Sequence, residues 1–183
     1  MAESLLLVRH GETDDNLDPI HVQGFTDTPL NATGARQAVE LSERAAELGI
    51  RSLWCSDLAR ALTTAQTIGA RVGLEPRVDS RLRESDRGDW EGKLFLDVER
   101  EDPEGYAAWL RAGAKFRFPG GESLREQQER VGAALEEIRA LAAPPALVVC
   151  HRGSIRVMLC SRDPRGLAAF HDYEIPNAVV FPW

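Results

Sequence analysis

Two histidines and several arginines in this sequence stand directly after short apolar runs. Leu5-Leu6-Leu7-Val8 leads into Arg9-His10-Gly11-Glu12-Thr13. Leu53-Trp54-Cys55 leads into Ser56-Asp57-Leu58-Ala59-Arg60, and Leu147 to Cys150 leads into His151-Arg152-Gly153-Ser154. Imidazole and guanidinium groups gathered in this way suit phosphate chemistry. Cleaving a phosphate monoester requires a nucleophile, cations on the non-bridging oxygens and a proton for the leaving oxygen. Phosphoryl transfer is mostly positioning and electrostatic stabilisation. A neutral imidazole attacks phosphorus when a hydrogen bond holds its other ring nitrogen. Arginine forks grip the oxygens bidentately. A carboxylic acid near the leaving group protonates it and then activates water.

The elements that must position these groups alternate between strand and helix. Ser4 to Val8 reads as a buried strand. Thr33 to Leu48 reads as a helix with Ala38, Leu41, Ala45 and Leu48 on one face and Gly49 as its stop. Ser52 to Cys55 is a short strand. Ser56 is placed to cap a helix running to Val72, whose apolar stripe is Leu58, Ala61, Ala65, Ile68 and Val72. Residues 74–92 are less regular, with one short strand expected. Leu94 to Gly113 is helical but split by Pro103. Pro119-Gly120-Gly121 makes a turn, and Ser123 with Glu126 fits a capping box opening a helix to Ala142. Ala146 to Cys150 is a buried strand, a helix follows from about Gly153, and Ala178 to Phe181 is the last strand. This order implies an α/β layered fold with a mostly parallel sheet. In such sheets ligands bind beyond the carboxyl ends of the strands, and helix N-termini there favour anions. The sequence therefore predicts an anion site, phosphate above all.

Composition sets the outer limits. The 183 residues fit one domain, so 1–183 reads as a single unit. Hydrophobic residues make up 43% and charged residues 28%, which argues against disorder. The net charge of −7 disfavours a nucleic-acid partner held by overall charge. No apolar run approaches the ~20 residues of a membrane span, and no basic segment marks a signal peptide, so neither membrane nor export is expected. Three cysteines make no disulfide framework, which points to a reducing cytoplasm. Two of the 22 basic residues are Lys, at 93 and 115, and the rest are Arg, the better residue for bidentate capture of phosphate.

The motifs resemble the histidine phosphatase superfamily, the phosphoglycerate mutase-like proteins. Arg9 to Thr13 followed by Asn16 resembles its opening motif, continued by Gln23-Gly24, Asp27 and Pro29-Leu30. Ser56 to Ala61 with Thr64-Ala65 resembles its second motif. Leu82-Arg83-Glu84 with Gly88-Asp89-Trp90-Glu91-Gly92 looks like its acid segment, and Phe118 to Ser123 its second-half helix entry. His151, Gly153, Ile155 and Arg156 are similar to its second histidine motif, and Asn177-Ala178 to its closing strand. The resemblance covers nearly the whole chain, in order.

The resemblance implies a three-layer α/β/α sandwich, no metal and no cofactor. It makes His10 the nucleophile that carries phosphohistidine. Arg9, Arg60 and His151 neutralise the phosphoryl oxygens, and Asn16, Gln23 and the Gly24 backbone complete the pocket. Glu84 becomes the proton donor and then the base for water. One departure is Arg152, where family members often carry Gly or another small residue. It either points away, extends the anion site or narrows it, and is a candidate for specificity. His21, close to Gln23, is a second candidate lining residue, whereas His171 reads as structural. Cys150 reads as the small apolar end of a strand, not as a metal ligand. Trp90 reads as core, with Trp109, Phe116 and Phe118 shared between core and roof.

The expected activity is hydrolysis of a small phosphorylated metabolite. The segment 86–120 is the expected substrate selector. Phosphoprotein is disfavoured, because the family's phosphohistidine-protein phosphatases tend to lack such an acid segment. The alternatives are a phosphoglycerate mutase-type transferase and a non-catalytic phospholigand binder. The sequence ends at Phe181-Pro182-Trp183, with no tail to cover the site, which favours hydrolysis over mutase chemistry. Trp183 and the last strand offer either a homodimer surface or internal packing.

Overall fold

The computed structural model describes residues 5–183, so Ser4 of the expected first strand lies outside them. The strands are β1 (Leu5–Arg9), β2 (Ser52–Cys55), β3 (Arg77–Val78), β4 (Ala146–Cys150) and β5 (Val180–Pro182). They form one sheet in the order β3-β2-β4-β1-β5. β5 is antiparallel to β1, and the other pairs are parallel.

Side chains alternate across a strand, and this sheet is buried on both faces, hence the near-continuous apolar runs. Leu6, Val8, Leu53, Cys55, Leu147 and Val149 face α1 (Ala32–Glu47) and α2 (Ala59–Val72), meeting Leu41, Ala45, Ala61 and Ile68. Leu5, Leu7, Trp54, Val148 and Cys150 face the opposite way. There they join Val131, Leu135 and Ile138 of α5 (Leu124–Leu141) and Ile155 of α6 (Arg152–Arg162). The result is the expected α/β/α sandwich. Among the described residues, no helix is long and apolar enough to cross a membrane.

Two shorter helices, α3 (Phe95–Glu101) and α4 (Pro103–Arg111), fill the segment between the halves. Asp102 ends α3 and caps α4, accepting from Gly105 N–H at 2.9 Å, with Pro103 in the first turn. Trp90 is core as expected, edge-on to Trp109 and Phe118 with centroids 6.4 and 5.5 Å apart.

Several boundaries differ from expectation. α2 starts at Ala59, not after Ser56; the Ser56 hydroxyl accepts from Leu58 N–H at 3.3 Å instead. The Ala59 N–H is taken by the Asp27 carboxylate at 2.6 Å, a cap supplied from a distant loop. α6 starts at Arg152, with His151 in the capping position. β5 starts at Val180, since Ala178 has a positive φ of 58° and cannot extend the ladder. The capping box of Ser123 and Glu126 is present. Trp183 packs within the chain, its ring 3.7 Å from the Arg162 guanidinium carbon.

The register fixes the site. Arg9 lies opposite Cys150, and the next N–H, that of His10, donates to the Cys150 carbonyl at 3.1 Å. His10 and His151 thus leave the sheet side by side.

Candidate active site

A cavity of about 110 Å³ is lined by Arg9 and His10 where β1 ends. The rings of His10 and His151 are 5.1 Å apart, tilted by 59°. His10 is 2% exposed, and its Nδ1 lies 2.7 Å from the Gly11 carbonyl oxygen. A carbonyl only accepts, so that nitrogen carries the proton and Nε2 holds the lone pair. Burial pushes the His10 pKa well below the imidazole range, aided by His151, Arg60 and Arg9. The ring is therefore neutral, the state a nucleophile needs. Burial and the Arg60 charge do the same to His151, whose two ring nitrogens are buried without a hydrogen-bond partner.

Gly11 has a steric task. A Cβ there would lie 2.4 Å from the Gly34 carbonyl oxygen, so the turn after His10 packs directly on the start of α1. The Gly11 N–H donates to the Thr64 hydroxyl of α2 at 3.2 Å, which ties the loop to a second helix.

Glu84 also lines the cavity and is 5% exposed. Its Oε1 accepts from Ser85 N–H at 2.9 Å and Gln127 Nε2 at 3.1 Å. Its Oε2 accepts from Gly153 N–H at 2.9 Å, in the first turn of α6. Burial alone would raise its pKa. The Arg87 charge and the N–H donors of Gly153 and Ser85 outweigh that and bring it to about 2. Glu84 is thus held as a carboxylate. The segment before it is clamped by Arg130 of α5, which donates to the carbonyls of Arg81 and Arg83 at 2.8 Å each and of Glu84 at 2.6 Å.

Arg9 lines the cavity and donates to the Ile175 carbonyl at 2.9 Å, with its Nε buried and unpartnered. Burial and the nearby Arg152 charge lower its pKa to about 9, so it remains cationic at neutral pH. Arg60 lies behind the wall rather than on it. It is 0% exposed, and its terminal nitrogens donate to Thr26 O at 2.8 Å and Gly24 O at 2.7 Å. Its field still reaches both imidazoles. Gly24 belongs to that packing: a Cβ there would lie 2.3 Å from Glu91 Oε1.

Asn16, Gln23 and His21 reach the cavity. Gln23 donates to Thr13 Oγ1 at 3.0 Å and Asp15 Oδ2 at 3.2 Å, and Asn16 donates to Gln23 Oε1 at 3.4 Å. Arg152, on the first turn of α6, also lines it.

Three further residues carry no site role in the sequence reading. Asn177 donates to the His10 carbonyl at 2.9 Å and lines the cavity. Gln127 is fully buried in the first turn of α5 and bridges the Glu84 carboxylate and the Ser85 hydroxyl. Arg87 lines the cavity at 3% exposure, with Nε and Nη1 lacking any partner. Its guanidinium lies 4.6 Å from the Phe118 ring centroid. Only the third position after Glu84 marks Arg87 in the sequence, within a run of acidic residues.

A buried neutral imidazole with one free nitrogen, a second imidazole and arginine charge form a site able to take a phosphoryl group. The chain is 45% identical over 130 residues to a Salmonella paratyphi B protein named probable phosphoglycerate mutase GpmB. That stretch covers 70% of this chain and 60% of the relative, so the match spans less than two thirds of the relative's length. The mycobacterial glucosyl-3-phosphoglycerate phosphatase solved with VO3 superposes with a TM-score of 0.88 at 31% identity, over 98% of this chain and 91% of that one. A Thermus thermophilus protein, TTHB049, gives 0.74 at 37% identity, over 97% and 91%. The family model for the histidine phosphatase superfamily (branch 1) matches residues 5–181, and the chain belongs to that superfamily.

Proposed function

We propose that this protein is a metal-independent phosphomonoesterase that hydrolyses a small phosphorylated metabolite through a phosphohistidine on His10. The observation that carries the reading is the bond between His10 Nδ1 and the Gly11 carbonyl, which leaves Nε2 as the attacking atom. Nε2 bonds to phosphorus as the phosphorus–oxygen bond to the leaving group breaks. Arg9, Arg60 and His151 offset the charge on the non-bridging oxygens, with Asn16 and Gln23 shaping the rim. Glu84 is ionised, so the proton for the leaving oxygen enters with the ester monoanion and passes over the Glu84 carboxylate. Water then attacks phosphorus as the bond from phosphorus to Nε2 breaks; Glu84 takes the water's proton and passes it to the departing phosphate, and His10 is restored. The cationic work falls to guanidinium groups, which is why no metal enters the scheme. The similarity to a solved phosphatase over almost the whole chain supports hydrolysis.

Transfer between two hydroxyls of one substrate is the second reading, favoured by the name of the GpmB relatives. Phosphate release from a panel of small phosphomonoesters, with EDTA throughout, tests the first. Release by the wild type and none by His10→Ala is the expected result. Loss of activity in EDTA overturns the metal-independent scheme, and isomerisation faster than release favours the mutase.

A further inference from the structure

The cavity wall carries more positive charge than one phosphoryl group uses. Beyond Arg9, it includes Arg87 and Arg152. Arg87 is 3% exposed, and its Nε and Nη1 have no partner. The Glu84 charge favours the Arg87 cation but makes no hydrogen bond to it; the Glu84 oxygens accept from Ser85, Gln127 and Gly153. Arg152 stands in the first turn of α6, where a cation opposes the helix dipole. Its charge acts against the protonation of Arg9, Arg87 and Arg156 together. Glu84 offsets part of this charge, but the buried Arg87 nitrogens still lack a hydrogen-bond partner, which is costly unless an anion joins them.

Arg152 also belongs to a second cavity of about 420 Å³ that shares Ile20 and Phe95 with the first. This groove continues over Leu96, Trp109 and Leu110, with Arg156 beside Arg152 and Asp18 as its acidic member. Leu96 and Leu110 are 67% and 53% exposed, so the groove presents apolar surface directly beside the phosphoryl site. Ile20, Phe95 and Arg152 line both cavities, so the groove adjoins the phosphoryl site.

We propose that Arg87 and Arg152 form a second anion subsite, and that the substrate is a phosphomonoester whose body carries a further carboxylate or phosphate, its apolar frame lying along the Phe95 groove. The identity of the first anion rests on the phosphomonoesterase reading. The second subsite selects against neutral esters by leaving two guanidinium groups without a partner.

Binding of non-hydrolysable phosphonates tests this separately from catalysis. The probes are benzylphosphonate, (4-carboxybenzyl)phosphonate and para-xylylene bisphosphonate, measured by calorimetry. The wild type binds the two doubly anionic probes at least about 10-fold more tightly than benzylphosphonate. Whichever doubly anionic probe is tighter identifies the second anion as carboxylate or phosphate. Arg152→Ala and Arg87→Met bring that ratio close to 1. Should the buried Arg87 variant fail to fold, the partly exposed Arg152 variant carries the test. Equal affinities in the wild type, or an unchanged ratio in Arg152→Ala, overturn the proposal. If the preference holds while the matching benzyl phosphates release no phosphate, the subsite stands and the phosphomonoesterase reading fails.

Discussion

The Glu84 carboxylate occupies the space that a side chain at position 153 would fill. Gly153 donates its N–H to Glu84 Oε2 at 2.9 Å, and a Cβ on Gly153 would lie 2.0 Å from Oε1. Gly153→Ala therefore expels the carboxylate from the first turn of α6. General acid–base groups contribute roughly 10²–10⁴-fold, so kcat is expected to fall by about 10²-fold or more, close to the loss in Glu84→Gln. Steady-state assays of both variants check this. Activity in Gly153→Ala within a few-fold of wild type would show that Glu84 does not work from this position.

The phosphorylated intermediate is expected on Nε2 of His10, because Nδ1 is bonded to the Gly11 carbonyl. Rapid quenching with a labelled ester should trap an acid-labile, base-stable phosphoprotein in the wild type. His10→Ala should show no label and no phosphate release. The label should accumulate in Glu84→Gln if that residue activates the water. Label retained in His10→Ala would place the nucleophile elsewhere.

The strand ends were legible because buried parallel strands are short apolar runs and the chemistry follows them directly. His10, His151 and Arg9 could be read from that pattern. Arg60 could be named but not placed: its burial beneath the loop carrying Gly24 and Thr26 depends on packing between segments far apart in sequence. Gln127 looks like any polar helix residue until α5 packs against the Glu84 segment. Arg87 sits among Asp86, Asp89 and Glu91, which reads as a solvated stretch; the fold buries it and brings Phe118 and Trp109 beside its guanidinium. Asp27 caps α2 for the same reason, a contact no local pattern encodes.

Arg130 holds the segment that ends in Glu84. Its guanidinium donates to three carbonyls and pairs with Glu122. Arg130→Met leaves those carbonyls short of donors, a loss of about 2–4 kcal/mol at typical costs for such groups. Arg130→Lys keeps the charge but not the fork and should lie between. Urea unfolding of the three proteins checks the order. A change below about 0.5 kcal/mol in Arg130→Met, the ordinary range for surface substitutions, would dismiss the clamp.

Stability should fall as pH drops below neutrality. His10 and His151 resist protonation in the folded chain, chiefly through burial. The unfolded chain takes up those protons near pH 6.5. The unfolded state then binds more protons, so each imidazole removes up to about 1.4 kcal/mol per pH unit below that point. Glu84, with its pKa lowered to about 2, acts further down: its contribution is present above about 4.3 and is lost as pH falls toward 2. Unfolding midpoints at pH 7.5, 6 and 5 should decline in the wild type and decline less in His151→Asn. Equal midpoints at all three would mean that the imidazoles are not held neutral.

The same groups set the pH profile of catalysis. Burial holds the His10 pKa well below the ordinary imidazole value, so His10 adds no acid limb near neutrality. Glu84 is already ionised, so it brings no proton of its own to the free site. The proton for the leaving oxygen must come with the substrate, whose second phosphate ionisation lies near 6. The profile of kcat/KM reports the free enzyme and free substrate. It is therefore expected to be level between about pH 5 and 6 and to fall roughly tenfold per unit above the substrate pKa. Esters with more acidic phosphates should shift the break downward by the same amount, which separates a substrate ionisation from an enzyme one. A kcat/KM that rises from pH 5 to 7 would mean that His10 titrates in that range and that its burial does not keep it neutral.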